Sequence, residues 1–280
     1  MPSKNIIINS FKESFAQIFK NKSMFFLLAA IQIIFFIFLF LISSIYIPKI
    51  QEHSKAMFDY LNQQKLDEVS ITQNILQQKS ILGDDPLSLS MNLTEIIKNS
   101  RIYLTYIFIL TLVFTSSMWL ISGNLIHRRS FRKLRNNYSK IFIVSAFYLG
   151  IILLFFYSVL NISFTEAAYN SVALFGKYLT FFFISIILFY FMFISLSLIN
   201  KTELTDIVQK TLSIGLRKIH YMLSVYFINI FFISAPLFLL IYFNETGFLI
   251  PAFALILIVF GFLFSRIFIL NVVEKLNESS

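Results

Sequence analysis

The side chains that could carry chemistry in this sequence are few and scattered. The 280 residues include no cysteine and three histidines, His53, His127 and His220. The lack of cysteine excludes disulfides, thiolate metal sites and cysteine nucleophiles. Neither a phosphate-binding glycine loop nor the motifs of zinc proteases and serine hydrolases occur. We therefore assign no catalytic residue, no metal ligand and no cofactor.

Five charged residues are the remaining candidates for a ligand or catalytic site. Asp84 and Asp85 either bind a cation or form a helix-boundary turn, the commoner use of such a pair. Glu166 and Lys177 flank a short turn, where they either pair or anchor the chain at the membrane surface. A lipid-acting enzyme would need these carboxylates to converge with Arg266 at the depth of the lipid headgroups.

The elements that must position these residues are membrane spans. The chain is 58% hydrophobic and only 13% charged, whereas soluble domains are about 25% charged. A helix needs about 20 apolar residues to cross a bilayer. Six runs meet this length: 24–47, 102–126, 141–164, 174–199, 221–243 and 247–270. We predict a single all-α integral membrane domain over residues 1–280, in which six transmembrane helices form three hairpins.

The distribution of charge predicts the orientation of these spans. With the N-terminus inside, the inner segments 1–23, 127–140 and 200–220 and the tail from Arg266 hold sixteen Lys and Arg residues, and the outer segments hold seven. Five acidic residues lie inside and nine outside. Because cytoplasmic loops retain positive charge, we expect a multi-pass protein of the cell membrane with both termini in the cytoplasm.

The segment from His127 to Lys140, HRRSFRKLRNNYSK, carries six of these positive charges and no acid. It is too short, between two spans, to grip nucleic acid, and we expect no nucleic-acid partner. We predict instead that its cations retain the segment inside and contact anionic lipid headgroups. The residues assigned to this role are Arg128, Arg129, Arg132, Lys133 and Arg135.

Arg266 lies inside the last apolar run, which extends from Phe248 to Val273. Eighteen residues of helix separate it from Phe248, about 27 Å at 1.5 Å per residue, so its guanidinium is predicted to reach the inner surface. The alternative, a span shifted inward, would bury the charge. In the fifth span, Asn229, Ser234 and Pro236 indicate either interhelical hydrogen bonds and a kink or a path for a solute.

The inner segments resemble one another. Residues 15–26 align with 131–142, matching Asn21 with Asn137, and a more divergent third copy covers 202–221. In that copy an apolar stripe comprises Leu204, Val208, Thr211, Leu212, Gly215 and Ile219. Such segments predict short amphipathic helices on the cytoplasmic side, with apolar residues toward acyl chains and lysines toward headgroups.

Residues 48–101 form the only long polar segment, a small helical excursion on the extracytoplasmic side. Pro48 lacks an amide donor and is predicted to end the first helix. Two short helices are expected beyond it, packed over the outer face of the bundle.

The segment before the first span resembles a pattern in uncharacterised six-pass membrane protein families of bacteria and archaea, including the membrane domain attached to some glycerophosphodiester phosphodiesterases. The residues that carry the resemblance are Ser10, Phe11, Phe15, Phe19, Lys20 and Asn21. It covers about twenty residues. The chain differs in its long outer segment and in lacking a hydrolase domain, so no functional residue is transferred.

Three functions remain open from the sequence. The first is a non-enzymatic membrane protein that organises or assembles other membrane components, with anionic lipid and a membrane protein as partners. The second is a transporter or channel for a small or lipid-like solute, suggested by hairpin repeats and Pro236. The third is a membrane enzyme that acts on lipid.

Overall fold

A computed structural model describes residues 6–63, 86–127, 131–160, 171–243 and 249–279. Eight α-helices make up most of these ranges: α1 (Ile6–Lys20), α2 (Lys22–Gln63), α3 (Pro86–His127), α4 (Phe131–Leu160), α5 (Ser171–Leu198), α6 (Leu204–Leu212), α7 (Ile219–Tyr242) and α8 (Leu249–Glu278). A π-helical turn, Ser213–Arg217, joins α6 to α7. The described ranges contain no strand.

Six of these helices, α2, α3, α4, α5, α7 and α8, are long and apolar enough to cross a membrane. Each of the six ranges predicted from the sequence falls largely within a different one of them. The helical form follows from the apolar runs themselves, because a helix satisfies every backbone donor and acceptor within one segment and needs no water to do so.

The prediction that Pro48 ends the first helix is wrong, because α2 continues through it to Gln63. Proline removes one backbone hydrogen bond, to the carbonyl of Ser44, and the rest of the helix carries on beyond it. Helix α3 similarly begins at Pro86, well before the predicted span. The described parts of 48–101 are therefore extensions of two long helices and not two separate short ones. Residues 64–85 lie outside the described ranges.

The chain divides into two compact units. The first holds the described residues within Met1–Phe36, Thr111–Ile152 and Leu179–Ser280. Its most buried part is in α8, where every residue from Leu263 to Glu274 is buried except Arg266. Helix α1 packs Phe11 and Phe15 on Phe264, with ring centroids 5.2 and 4.6 Å apart. Apolar and aromatic contacts therefore make α8 the core of this unit.

Two further contacts fix helices within this unit. Gly261 of α8 lies so close to α7 that a Cβ added there would be 2.8 Å from the carbonyl oxygen of Phe232. The single tryptophan, Trp119 of α3, is buried and stacks on Phe193 of α5 with centroids 6.0 Å apart. The close approach at position 261 requires glycine, which has no side chain.

The second unit holds the described residues within Ile37–Leu110 and Leu153–Tyr178. Hydroxyl groups join its helices: Ser43 of α2 is hydrogen-bonded to Tyr103 of α3 at 3.0 Å. The hydroxyl of Tyr157 in α4 donates to the carbonyl of Arg101 at 3.3 Å and also contacts Thr105.

The amphipathic segments differ from one another in form. Residues 131–142 belong to the continuous helix α4, whereas α1 and α6 are separate helices. In α6, Leu204, Val208 and Leu212 are exposed as the predicted stripe requires, but Thr211 of that stripe is buried beside Ile207. The segment therefore has two faces with apolar residues, one packed inward and one facing outward.

Candidate functional site: a polar junction around the last helix

The buried carboxylate of Glu274 lies near the end of α8 and is only 7% exposed. Its Oε1 is 2.5 Å from Nε2 of His127, the last residue of α3. Its Oε2 is 3.5 Å from Nζ of Lys201, three residues after the end of α5. Lys201 also pairs with Glu278 at 2.6 Å. We call these four residues, His127, Lys201, Glu274 and Glu278, the polar junction.

Burial and neighbouring negative charge have opposite effects on the pKa of Lys201. Burial alone would lower the pKa of its ammonium group, but the hydrogen bond to Glu278 and the charge of Glu274 raise that pKa above its ordinary value. Lys201 therefore stays charged in the junction. A charged lysine is the partner that a buried carboxylate needs, since an unpaired buried charge is costly.

A second set of polar contacts ties α1 to the same helix. Asn271 of α8, which is buried, donates from Nδ2 to Ser14 Oγ at 2.8 Å and to Gln17 Oε1 at 2.9 Å. One turn further, Lys275 pairs with Glu13 at 2.8 Å. Helix α1 is thus held against α8 by hydrogen bonds and charge as well as by its phenylalanines.

Three side chains that precede or begin an apolar run tie it to the end of the next long helix. Asn21, immediately before α2, donates to the carbonyl of Leu125 in α3 at 3.1 Å. Asn137 of α4 donates to Oδ1 of Asn200 after α5 at 3.3 Å. Lys218, immediately before α7, donates to the carbonyl of Leu276 in α8 at 2.7 Å. The sequence alignment had already matched the first two of these.

Arg266 lies on the side of α8 that faces α2. Its Nη2 donates to Oε1 of the buried Gln32 at 3.2 Å, and its buried Nη1 has no hydrogen-bond partner among the described residues. One residue earlier, the carbonyl of Ser265 accepts a long hydrogen bond, 3.5 Å, from Asn229 of α7. The predicted headgroup role of Arg266 stays a prediction.

The structure brings together only two of the three residues predicted to form a kink or solute path in the fifth span. Asn229 and Pro236 of α7 are buried, whereas Ser234 is exposed on a different face. Helix α7 continues through Pro236.

Most of the charged candidates fall at the margins of the described structure. Arg135 is exposed on α4, as a headgroup contact requires, and Lys177 is exposed on α5. The remaining candidates lie outside the residues or side chains that the structure describes: Asp84, Asp85, Arg128, Arg129, Arg132, Lys133 and Glu166.

The residues of the polar junction were not identified from the sequence as a site. The available signal was that polar residues follow three of the apolar runs: His127, Lys201 and Glu274. Among the described residues, no group of three His, Cys, Asp or Glu side chains could hold a metal ion. The junction as described joins helices by charge and hydrogen bonding.

Comparison with known proteins does not add to this description. No protein-family model, no curated protein and no solved structure matches the chain.

Proposed function

We propose that this chain is a non-enzymatic protein of the cell membrane that organises or assembles other membrane components. The observation that carries the proposal is the uneven burial of its spanning helices. In the most apolar 18-residue window of α8, 56% of the residues are buried, against 11% to 22% in the other five helices. Most residues in these windows of the other five helices are therefore at least partly exposed, and in this proposal lipid or the helices of partner proteins cover them.

The helices in this proposal form three hairpins, α2 with α3, α4 with α5, and α7 with α8. The contacts of Asn21, Asn137 and Lys218 support this arrangement, because each reaches the far end of the second helix of its own hairpin. His127, Lys201 and Glu274 lie at or near the ends of the three second helices, and Glu274 contacts the other two. One carboxylate thus joins all three hairpins.

The proposed orientation places this end of the hairpins in the cytoplasm. Sixteen of the chain's 23 Lys and Arg residues belong to the segments at this end, as expected of cytoplasmic loops. Helices α1 and α6 lie in the membrane interface in this proposal. Their exposed apolar residues, among them Phe19 and Val208, support that position, since they would contact acyl chains.

The use of the ionisable side chains favours a structural role over a catalytic one. Glu274 and Lys201 are engaged with each other, and Lys275 is engaged with Glu13. A catalytic acid or base needs a free position beside a substrate. These groups instead hold helices together.

The proposal is tested by photo-crosslinking in the native membrane. The exposed Phe183 of α5 and the exposed Phe147 of α4 are each replaced by benzoylphenylalanine, and adducts are identified by mass spectrometry. We expect a discrete adduct with one membrane protein from at least one of these faces. Lipid adducts alone, at both positions, would contradict an assembly role.

A transporter is the alternative that one observation favours. Three buried polar atoms, Asn229 Oδ1, Ser265 Oγ and Arg266 Nη1, have no hydrogen-bond partner among the described residues. Unsatisfied polar groups in an apolar span can mark a solute or ion path. Efflux of small anions from vesicles that contain only this protein, abolished by Arg266→Gln, would support this alternative. Equal leakage from vesicles with either form would exclude it.

A further inference from the structure

A cleft of about 710 Å³ opens where the turn between α1 and α2 meets the end of α3. Its size is typical of a site for a small ligand, about 300 to 1,000 Å³. The residues that line it include Phe19, Lys20, Lys22, Ser23, Met24 and Asn124. Charged, polar and apolar side chains therefore meet in one concave surface.

Asn21 fixes the shape of this cleft. Its backbone amide donates to the carbonyl of Gln17 at 3.0 Å, and its carbonyl accepts from the amide of Phe25 at 3.1 Å. Both helical hydrogen bonds of Asn21 are therefore kept at the turn between α1 and α2. Its side chain is bound to the carbonyl of Leu125 in α3. The turn is thus held against α3, with Lys20 and Lys22 on either side of Asn21.

Lys20 and Lys22 form no ion pair with the acidic residues that the structure describes. Lys201 and Lys275, by contrast, are each paired with glutamate. Two exposed positive charges consequently line the cleft with no described carboxylate paired to them. Such a pair attracts a ligand with negative charge, and a phosphate group accepts strong hydrogen bonds from ammonium groups.

Apolar surface lies directly beside these charges. Phe19 is 65% exposed, and Phe26, one helical turn after Lys22 in α2, is 69% exposed. A free phosphate ion would contact only the polar part of this surface. An amphiphilic ligand would contact both parts, and this favours a lipid.

We propose that the cleft binds one anionic glycerophospholipid. The phosphate lies between Lys20 and Lys22, where the hydroxyl of Ser23 is also available to donate, and the acyl chains lie along the adjacent apolar surface. Net negative charge is required because the cleft offers two ammonium groups and no carboxylate among its lining residues. The inference does not rest on the assembly role proposed above, since either an organiser or a transporter can hold a bound lipid.

The test is native mass spectrometry of the full chain in a neutral detergent with added phosphatidylglycerol or phosphatidylcholine. Lys20→Gln with Lys22→Gln removes both cleft charges. The matched control, Lys12→Gln with Lys210→Gln, removes two charges from α1 and α6 outside the cleft. Ser23→Trp fills the cleft and keeps the charges. All three sets of changes spare buried side chains, so each variant is expected to fold.

We expect wild type and control to retain one phosphatidylglycerol per chain and no phosphatidylcholine. The double variant Lys20→Gln with Lys22→Gln should bind phosphatidylglycerol about 30-fold more weakly, because it loses two lysines near an anionic group. Ser23→Trp should lose phosphatidylglycerol binding. Equal weakening in the control, or binding that Ser23→Trp leaves intact, would overturn the site. Retention of phosphatidylcholine would overturn the requirement for net charge. Displacement by inorganic phosphate at the same concentration would show a site for free phosphate instead.

Discussion

Neutralising Glu274 should destabilise the fold far more than the same change one turn away. The substitution Glu274→Gln keeps the size of the side chain and removes its charge. The wild-type Glu274 carboxylate contacts both His127 and Lys201 and is almost inaccessible to solvent. The matched control is Glu278→Gln, which removes a carboxylate that also contacts Lys201 but whose side chain is 64% exposed.

The expected cost can be worked from these contacts. Removing one partner of a buried ion pair costs about 3 to 5 kcal/mol. Glutamine retains an oxygen that accepts a hydrogen bond from His127, and Lys201 retains Glu278. We therefore expect Glu274→Gln to lower the free energy of unfolding by about 2 kcal/mol, about 30-fold in the unfolding equilibrium. The control should differ little from wild type, since exposed pairs contribute little.

The protein carries its own probe for this measurement. Trp119 is the only tryptophan, is 3% exposed, and stacks on Phe193 in the same unit. Its fluorescence during titration of detergent-solubilised protein with sodium dodecyl sulfate reports unfolding of that unit. Equal stabilities of the two variants, or a larger loss in Glu278→Gln, would refute the assignment of Glu274 as the residue that joins the helices.

Three further predictions use the same fluorescence assay or proteolysis. Gly261→Ala should lower the free energy of unfolding by about 1 to 3 kcal/mol, because the added Cβ would lie 2.8 Å from a backbone carbonyl oxygen. The control Gly150→Ala should not, because its added Cβ meets nothing within 4 Å. Similar losses in both variants would contradict the close approach of α8 to α7. Because the folded-state pKa of Lys201 is raised, its contribution is present below its ordinary pKa of about 10.4 and is lost as pH rises through the folded value. Wild type should therefore converge in stability with Lys201→Met as the pH rises through this raised folded-state pKa, and a difference that persists at strongly alkaline pH would refute this. Asn271→Leu removes the hydrogen bonds to Ser14 and Gln17, so trypsin should cleave α1 faster than in wild type; equal rates would contradict the tie.

The six helices could be predicted from sequence because their signal is local. A run of about 20 apolar residues specifies a spanning helix by itself, and each predicted run lies largely within a helix. The ends of the helices were less predictable. Pro48 was expected to stop α2, yet losing one hydrogen bond did not outweigh the helix that follows.

The polar junction could not be predicted because it depends on distant partners. His127 and Glu274 are 147 positions apart, and nothing in the sequence near either residue specifies the other. The same reason applies to α1, whose Phe11 and Phe15 pack on Phe264 of the distant helix α8. An apolar helix face does not reveal whether lipid or protein will cover it.

The central proposal is that the helix ends joined around Glu274 lie on the cytoplasmic side of the membrane. Its most direct test uses single cysteines, which the naturally cysteine-free chain permits, labelled by a membrane-impermeant thiol reagent in intact cells. Cysteines at the exposed positions Ser23, Thr205 and Ser279 and at position 130 should react only after the cells are permeabilised. Cysteines at the exposed positions Phe58 and Met91 should react from outside. Outside labelling at any of the first four positions would contradict the claim.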